Sequence, residues 1–217
     1  GDDMTGSARL QAYVSGPYSG LPPVEQAVLG DRYELIQEVC EDENYACYCP
    51  HQHGDFEEDE NTPEESYRRK AARVGSMELV IAECSLPSVS VGIVCQMADA
   101  REIPVLPVAQ QGAAVSRLVR GLPHVVRSGR DADIVRFTND AELGHGLRAR
   151  LQELKESLMM NRRRRETEIV VFESLREYAR SRQLPYARYE RLRSLVAAAV
   201  GGRIPRSVEE WEALDTQ

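Results

Sequence analysis

Short apolar segments alternate with amphipathic segments along the first two thirds of the chain, and this alternation constrains the fold more than any other feature. Four segments are strand-like, and each precedes a stretch with apolar residues at helical spacing: ARLQAYVSG, NYACYCP, MELVIAECS and IPVLPVA. The third is almost unbroken in apolar character, which is typical of a strand covered on both faces. This order predicts a parallel sheet with right-handed crossovers and helices on both faces.

A fifth strand is expected after these four, and the sequence leaves two positions open for it. Either HVVRS or DIVRFT supplies it, and NDAELGHGLRARLQELKESL then closes the sheet with a helix. A second helix start is marked by a capping box, because Thr62 precedes Pro63 and Glu65 follows at the required spacing. We therefore predict a flavodoxin-like or Rossmann-like α/β fold with five parallel strands and a C-terminal helical extension.

Length and charge limit the organisation and the partners. The chain has 217 residues, which is enough for one α/β domain, expected over 1–155, and a helical extension over 156–217. A net charge of −8 argues against general binding to nucleic acid or to anionic membranes. No apolar stretch reaches the roughly 18 residues of a membrane span, and the polar start GDDMTGS lacks the apolar centre of a secretory signal. We expect a cytoplasmic protein without a membrane partner.

The cysteines and histidines do not form a predicted metal site. Five cysteines make no even-numbered disulfide framework. The segment CYCPHQH contains four candidate zinc ligands, but alternate residues of an extended strand point in one direction in a row. Four ligands at that spacing cannot close a tetrahedron around one ion. We predict neither a metal nor a cofactor.

The C-terminal extension is predicted to consist of helices, broken near Leu184 and Pro185 and followed by a last short helix that begins at Ser207. The run Arg162 to Arg165 offers four guanidinium groups to a phosphate backbone, but Glu166 and Glu168 favour a solvated, salt-bridged face. Nucleic acid is therefore not an expected partner. An apolar face is predicted to serve packing or dimerisation, and its members are Val170, Val171, Leu175, Tyr178 and Ala179.

Three turns are predicted to converge on one pocket. The turns YVSGPYSG, CSLPSVSVG and QQGAAVSR follow the first, third and fourth strands. In parallel sheets ligands bind beyond the carboxyl ends of the strands, where the strand order reverses. The second turn opens a helix whose amide groups and dipole favour an anion.

The residues of these turns also resemble a known family over roughly residues 10 to 155. The string TPEESYRRKAARVGSMELVIAECSLPSVSVGIVCQMADAREIPVLPV, with YVSGPYSG and the pair Pro50-His51, resembles the nucleoside 2-deoxyribosyltransferases and the 2'-deoxynucleoside 5'-phosphate N-hydrolases. The resemblance implies chemistry at an N-glycosidic bond, through a transition state with oxocarbenium character. Such chemistry requires a carboxylate beneath the anomeric carbon.

The chain departs from the family pattern at both catalytic acids. The position of the family's glutamate holds Val94, and the position of its aspartate, three residues after Tyr67, holds Lys70. Two interpretations follow: a degenerate or repurposed site, or an active enzyme with substitute groups. Glu83 is the candidate substitute acid, or else it orders its loop. The resemblance places Tyr13 near the sugar, and burial in the core is the competing interpretation.

The resemblance further implies a set of ligand-binding residues. Ser88 matches a serine that contacts phosphate, Ser90 stands where the hydrolases have glycine, and Ser116 matches a serine contributed by the neighbouring subunit. Ser116 in that role implies at least a homodimer, although it also fits an ordinary helix serine. The full predicted set is Ser15, Gly16, Pro17, Tyr18, His51, Ser88, Ser90, Gly92 and Ser116.

Three functions remain open at the level of sequence. The first is a protein that binds a nucleoside or a nucleoside 5'-monophosphate without cleaving it. The second is an active N-glycosidase or 2-deoxyribosyltransferase with rearranged acids. The third is an assembly module whose helical tail binds a protein or nucleic-acid partner.

Overall fold

The computed structural model describes residues 9–53, 62–198 and 204–215, so the polar start of the chain lies outside the described residues. The chain divides into two compact units, Gly1–Leu158 and Met159–Gln217. A five-stranded parallel sheet forms the centre of the first unit. Its strands are β1 Leu10–Ser15, β2 Tyr45–Tyr48, β3 Leu79–Glu83, β4 Val105–Gln110 and β7 Val135–Phe137. Their order across the sheet is β2-β1-β3-β4-β7. The predicted fold class is confirmed.

The helices follow the strands in the alternation that the sequence predicts. They are α1 Pro23–Asp42, α2 Pro63–Gly75, α3 Val89–Asp99, α4 Arg117–Arg120, α5 Asp140–Ser181, α6 Tyr186–Ala198 and α7 Val208–Asp215, with a 3-10 turn at Pro50–His53. The capping box at the start of α2 is confirmed, because Thr62 and Glu65 each accept a hydrogen bond from the other's backbone amide. No described helix is long and apolar enough to cross a membrane.

The sheet register brings the ends of the predicted turns together. Ser15 lies opposite Ala82 across β1 and β3, and Glu83 lies opposite Val108 across β3 and β4. The strand order reverses between β1 and β3, which is the position where flavodoxin-like sheets bind ligands. The fifth strand comes from DIVRFT. The segment HVVRS supplies an isolated bridge at Val125 and one strand of the short β5–β6 hairpin, Arg127–Ser128 with Asp131–Ala132.

Helices cover both faces of the sheet, as the period-two alternation of strand side chains requires. On one face, α2 and α3 share an apolar cluster with strand residues that include Tyr13, Val80 and Val105. On the other, α1 contacts α5, where Arg148 pairs with Asp42 at 2.7 Å. The predicted convergence of three turns holds for two of them: residues after β3 and after β4 line one cavity, and no residue of YVSGPYSG lines it.

The second unit is organised around the chain's single tryptophan. Trp211 is fully buried, and its Nε1 donates a hydrogen bond to Ser174 Oγ at 2.9 Å. Three members of the predicted apolar face, Val171, Leu175 and Tyr178, pack against it, whereas Val170 is exposed. The expected helix break is confirmed, because α5 ends at Ser181 and α6 begins after Pro185. The predicted division between residues 155 and 156 lies within α5.

Candidate functional site

The loops that follow β3 and β4 enclose a cavity of about 650 Å³ at the carboxyl edge of the sheet. Three of the predicted ligand-binding residues line it: Ser88, Gly92 and Ser116. Cys84 at the end of β3 lies beside them, and the remaining lining is largely aliphatic. Ser90 is exposed on α3 and does not line this cavity.

Both serines in the cavity stand at helix starts because they act as N-caps. Ser88 is extended, with a φ of −149°, and its Oγ accepts a hydrogen bond from the Val91 amide at 3.3 Å. Ser116 caps α4 in the same way, accepting from the Leu118 amide at 3.2 Å. The 11-residue α3 therefore presents the positive end of its dipole beside the cavity. A Cβ at Gly92 would meet no atom within 4 Å, so this glycine leaves the space open.

The cavity is uncharged in its lining. Among the described residues that line it, none is acidic or basic, and the polar side chains are those of Ser88, Gln96 and Ser116. An anion there would be recognised by backbone amides and hydroxyl groups, as at other helix N-termini. Burial raises the pKa of the Cys84 thiol to about 12, so this cysteine is protonated at neutral pH and is a weak nucleophile.

Side-chain packing and backbone conformation explain why YVSGPYSG has glycine at positions 16 and 20. A Cβ at Gly16 would lie 2.2 Å from the Tyr33 hydroxyl oxygen, because the tyrosine ring packs directly on the glycine. That hydroxyl donates a hydrogen bond to the Pro17 carbonyl at 2.6 Å, and burial raises the pKa of Tyr33 well above its usual range. Gly20 has a φ of +79°, which only glycine adopts readily. Tyr33, which was not in the predicted set, thus fixes this loop.

His51 and Tyr18 lie next to the same tyrosine. The His51 ring centroid is 5.6 Å from that of Tyr18 and 5.4 Å from that of Tyr33. Burial lowers the pKa of His51, so its imidazole is neutral at pH 7. Neither ring nitrogen is exposed, and neither has a hydrogen-bond partner within the described part of the chain. An unsatisfied buried polar group costs about 1–3 kcal/mol, so these nitrogens favour a polar ligand or water.

Glu83 is fully buried in an ion pair. Its Oε1 accepts a hydrogen bond from Arg32 Nη1 at 3.1 Å, and Arg32 is itself buried with its guanidinium 5.0 Å from the centre of the Phe137 ring. Ser85 Oγ also donates a hydrogen bond to Glu83 Oε1. The same Ser85 hydroxyl accepts a hydrogen bond from the Gln110 amide at 2.8 Å. The carboxylate thus joins α1 to the ends of β3 and β4. Arg32 and Ser85 were missed by the sequence analysis, because their pairing is not local.

The two positions that the sequence resemblance assigns to catalytic acids, Val94 and Lys70, differ in burial. Val94 is 2% exposed and belongs to the same apolar cluster as Tyr13, which is 1% exposed. The Tyr13 ring stacks on Tyr48 at 5.6 Å. Lys70 is half-buried on α2. The structure thus places Tyr13 in the core, and places an aliphatic side chain in apolar surroundings where the resemblance puts a glutamate.

The segment CYCPHQH forms the end of β2 and the 3-10 turn that follows it. Hydrogen bonding to Cys40, together with burial, raises the pKa of the Cys47 thiol. All five cysteines are free. Within residues 9–53, 62–198 and 204–215, no group of three or more histidine, cysteine or acidic side chains is arranged to hold a metal ion.

Neither a protein-family model nor a curated protein sequence matches the chain. Solved structures do match it. The CMP N-glycosidase BcmB of Clostridium botulinum is 13% identical with a TM-score of 0.44, over 68% of this chain and 98% of that chain. The 2-deoxyribosyltransferase of Bacillus psychrosaccharolyticus is 10% identical with a TM-score of 0.45, over 62% and 90%. The solution structure of BlsM is 18% identical with a TM-score of 0.49, over 69% and 95%.

Proposed function

We propose that this chain binds a nucleoside or a nucleoside 5'-monophosphate at the carboxyl edge of its sheet and does not cleave the N-glycosidic bond. One observation carries the proposal. The edge keeps an open cavity with two hydroxyl groups at helix starts, while Val94, to which the resemblance assigns the family's glutamate position, is buried in an apolar cluster. Groups that recognise a ligand are present, and the group that would attack or stabilise the sugar is not at its place.

The binding half of the proposal follows from the geometry of α3. A phosphate at the start of this helix would meet free amides, the Ser88 hydroxyl and the positive end of the dipole. Gly92 leaves room for the ligand, and the aliphatic lining suits a base or the carbon face of a sugar. His51 does not line this cavity and both of its ring nitrogens are covered, so it has no part in the proposed contacts.

The proposed absence of cleavage rests on the positions of the carboxylate side chains. Among the described residues, no carboxylate lines the cavity, and Glu83 is held by Arg32 and Ser85 with no exposed surface. A positive centre forming at the anomeric carbon would therefore lack a stabilising charge. Loss of a principal catalytic group lowers rates by several orders of magnitude.

A homodimer is part of the proposal, because the sequence resemblance matches Ser116 to a serine that a neighbouring subunit contributes. In the structure, Ser116 lines the cavity of its own chain. Neither a membrane nor a nucleic acid is a proposed partner. The proposed compartment is the cytoplasm, where the five cysteines would stay reduced.

Titration calorimetry tests the binding. The purified chain is titrated with deoxyadenosine, deoxyguanosine, deoxycytidine and thymidine 5'-monophosphates and with the four nucleosides. We expect saturable binding of at least one compound, weakened at least tenfold by Gly92→Leu, which fills the open space, and several-fold by Ser88→Ala. Ser157→Ala, an exposed serine on α5, is the control and is expected to bind like the parent. No saturable heat with any of the eight compounds would refute the proposal.

A further inference from the structure

Side chains on one face of α5, in the second unit, enclose a groove of about 320 Å³. Ile169, which is 56% exposed, and the half-buried Phe172 form its apolar centre. The apolar cluster around Trp211 uses other residues of α5 and does not cover this centre. One arginine and one glutamate lie at each end of the groove. The six residues are named the α5 groove: Arg165, Glu168, Ile169, Phe172, Glu173 and Arg176.

The α5 groove has the same order of residue types in both directions along the helix. That order is arginine, glutamate, an apolar residue, an apolar residue, glutamate and arginine, at spacings of three, one, three, one and three residues. Positions 165, 169, 172 and 176 follow the spacing of four, three and four that is typical of a coiled-coil seam. Glu168 and Glu173 flank this seam on opposite sides. An antiparallel second copy therefore presents the same order of side chains to the groove.

We propose that the α5 groove pairs with the α5 groove of a second copy of this chain, with the two helices antiparallel about a two-fold axis. Ile169 of each copy then packs against the partner's Phe172. An isologous interface pairs one surface with itself, and for antiparallel helices this requires an order of residue types that is the same in both directions. The inference goes beyond the proposed function, because it concerns the helical unit and not the nucleotide cavity.

The flanking charges favour the antiparallel orientation over the parallel one. In a parallel pair, a flanking residue of one helix faces the partner residue five positions later, which sets Glu168 against the partner's Glu173. In the antiparallel pair, Arg165 lies beside the partner's Glu173, and Arg176 lies beside the partner's Glu168. Two-fold symmetry then gives four pairs of opposite charge. Such charges determine orientation and specificity, while the apolar centre supplies attraction.

The size of the groove fits a weak association. The segment from Arg165 to Arg176 extends over about 18 Å of helix at 1.5 Å per residue. Two helical segments of this length form an interface at the low end of the size range of specific complexes. We therefore expect a dissociation constant in the micromolar range.

Site-specific photo-cross-linking of the full chain without nucleotide tests the interface and its orientation. Phe172→p-benzoyl-phenylalanine retains an aromatic side chain at the centre of the groove, and isotopically heavy and light chains are mixed equally at about 100 µM, above the expected dissociation constant. We expect irradiation to give a covalent dimer whose cross-linked peptides combine both isotopes. The cross-links are expected to centre on the partner's Ile169. Cross-links centred on position 172 of the partner would show a parallel pair and overturn the inference.

Charge reversal in the photoreactive chain tests the proposed ion pairs. Arg165→Glu and Glu173→Arg each place like charges at both ends of the interface, so we expect each to lower the cross-link yield at least about tenfold. An equal mixture of the two variants is expected to restore the yield. In that mixed pair, the new carboxylate of one variant faces the new guanidinium group of the other, and the native pair at the opposite end is retained.

Arg163→Glu is the matched control, because it makes the same charge change at an exposed position of α5 outside the groove, and its yield is expected to equal that of the parent. Far-UV circular dichroism identical to the parent shows that the variants are folded. An absent covalent dimer, or a yield unchanged by both reversals, would overturn the inference and leave the groove to a different partner. The cross-linker is located on α5 and no nucleotide is present, so the result is independent of the proposed nucleotide site.

Discussion

The Glu83→Gln substitution separates the two roles that the sequence left open for this glutamate. Glu83 is 0% exposed and its partner Arg32 is 7% exposed, with a nitrogen to oxygen distance of 3.1 Å. Removing one member of a buried ion pair costs about 3–5 kcal/mol, because the other charge is left uncompensated. The glutamine carbonyl still accepts a hydrogen bond from Arg32, which places the expected loss near the lower end, at about 3 kcal/mol of unfolding free energy.

Urea unfolding measures this loss, with far-UV circular dichroism following the whole chain. Fluorescence of Trp211, the only tryptophan, follows the second unit separately. We expect the circular dichroism transition to shift to lower urea while the fluorescence transition stays in place. The shift then belongs to the first unit, where the ion pair lies.

A double-mutant cycle isolates the pair itself. Arg32→Met alone is expected to cost about 3 kcal/mol, and the double substitution about 2 kcal/mol less than the sum of the two single losses. Additive losses, or a Glu83→Gln variant within about 0.5 kcal/mol of the parent, would refute the paired state. Such a result would mean that Glu83 is not held by Arg32 and is available as an acid.

Three further predictions follow from particular contacts. Gly16→Ala lowers the unfolding free energy by about 1–3 kcal/mol, because the new Cβ collides with the buried Tyr33 ring. Gly92→Ala is neutral or slightly stabilising, because its Cβ meets no atom. Urea unfolding of the two variants measures the difference. Val94→Glu costs about 3 kcal/mol or more in the same assay, because it buries a carboxyl group among apolar side chains. Burial raises the pKa of the Asp215 carboxyl group, but hydrogen bonds from Tyr178 and Arg188 outweigh this effect and lower the pKa below its usual value. Stability from this group is therefore present above the unfolded pKa and lost as pH falls through the folded one, so Trp211 fluorescence changes on acidification.

Each of these has a contrary outcome. Equal stabilities for the two alanine variants would show that the tyrosine does not pack on Gly16. A stable Val94→Glu variant would show that this position faces solvent or a ligand. Trp211 fluorescence that changes at the same pH in Asp215→Asn and in the parent would remove this carboxylate as the cause.

Local signals in the sequence were sufficient for most of the fold. The capping box at Thr62, the break at Pro185 and the unbroken apolar run of β3 each depend on neighbours within a few residues. The fifth strand stayed ambiguous because HVVRS and DIVRFT both place two adjacent β-branched residues before an arginine. Both segments lie beside β4 in the structure. Val125 makes one isolated bridge to Val105, whereas Val135–Phe137 pairs over three residues of β4, and this register is set by the sheet.

The candidate site was predictable in part. The rule that parallel strand ends share one edge predicted that three turns converge, and the turns after β3 and β4 do line one cavity, whereas no residue of YVSGPYSG lines it. Ser88, Gly92 and Ser116 were chosen from the resemblance, and their role in binding stays a prediction. The structural reason for Gly16 was not predictable, because Tyr33 reaches it from the middle of α1. The pairing of Glu83 with Arg32 joins residues 51 positions apart, so no local pattern signals it.

The account's central claim is that the cavity holds a nucleotide without breaking its N-glycosidic bond. Single-turnover chromatography tests this claim most directly: protein in excess is incubated for hours with the 5'-monophosphate that calorimetry identifies, and free base is quantified. The account predicts that the nucleotide is bound and recovered intact. Free base that appears at a rate proportional to protein, and is lost in Ser88→Ala or Gly92→Leu, would contradict it.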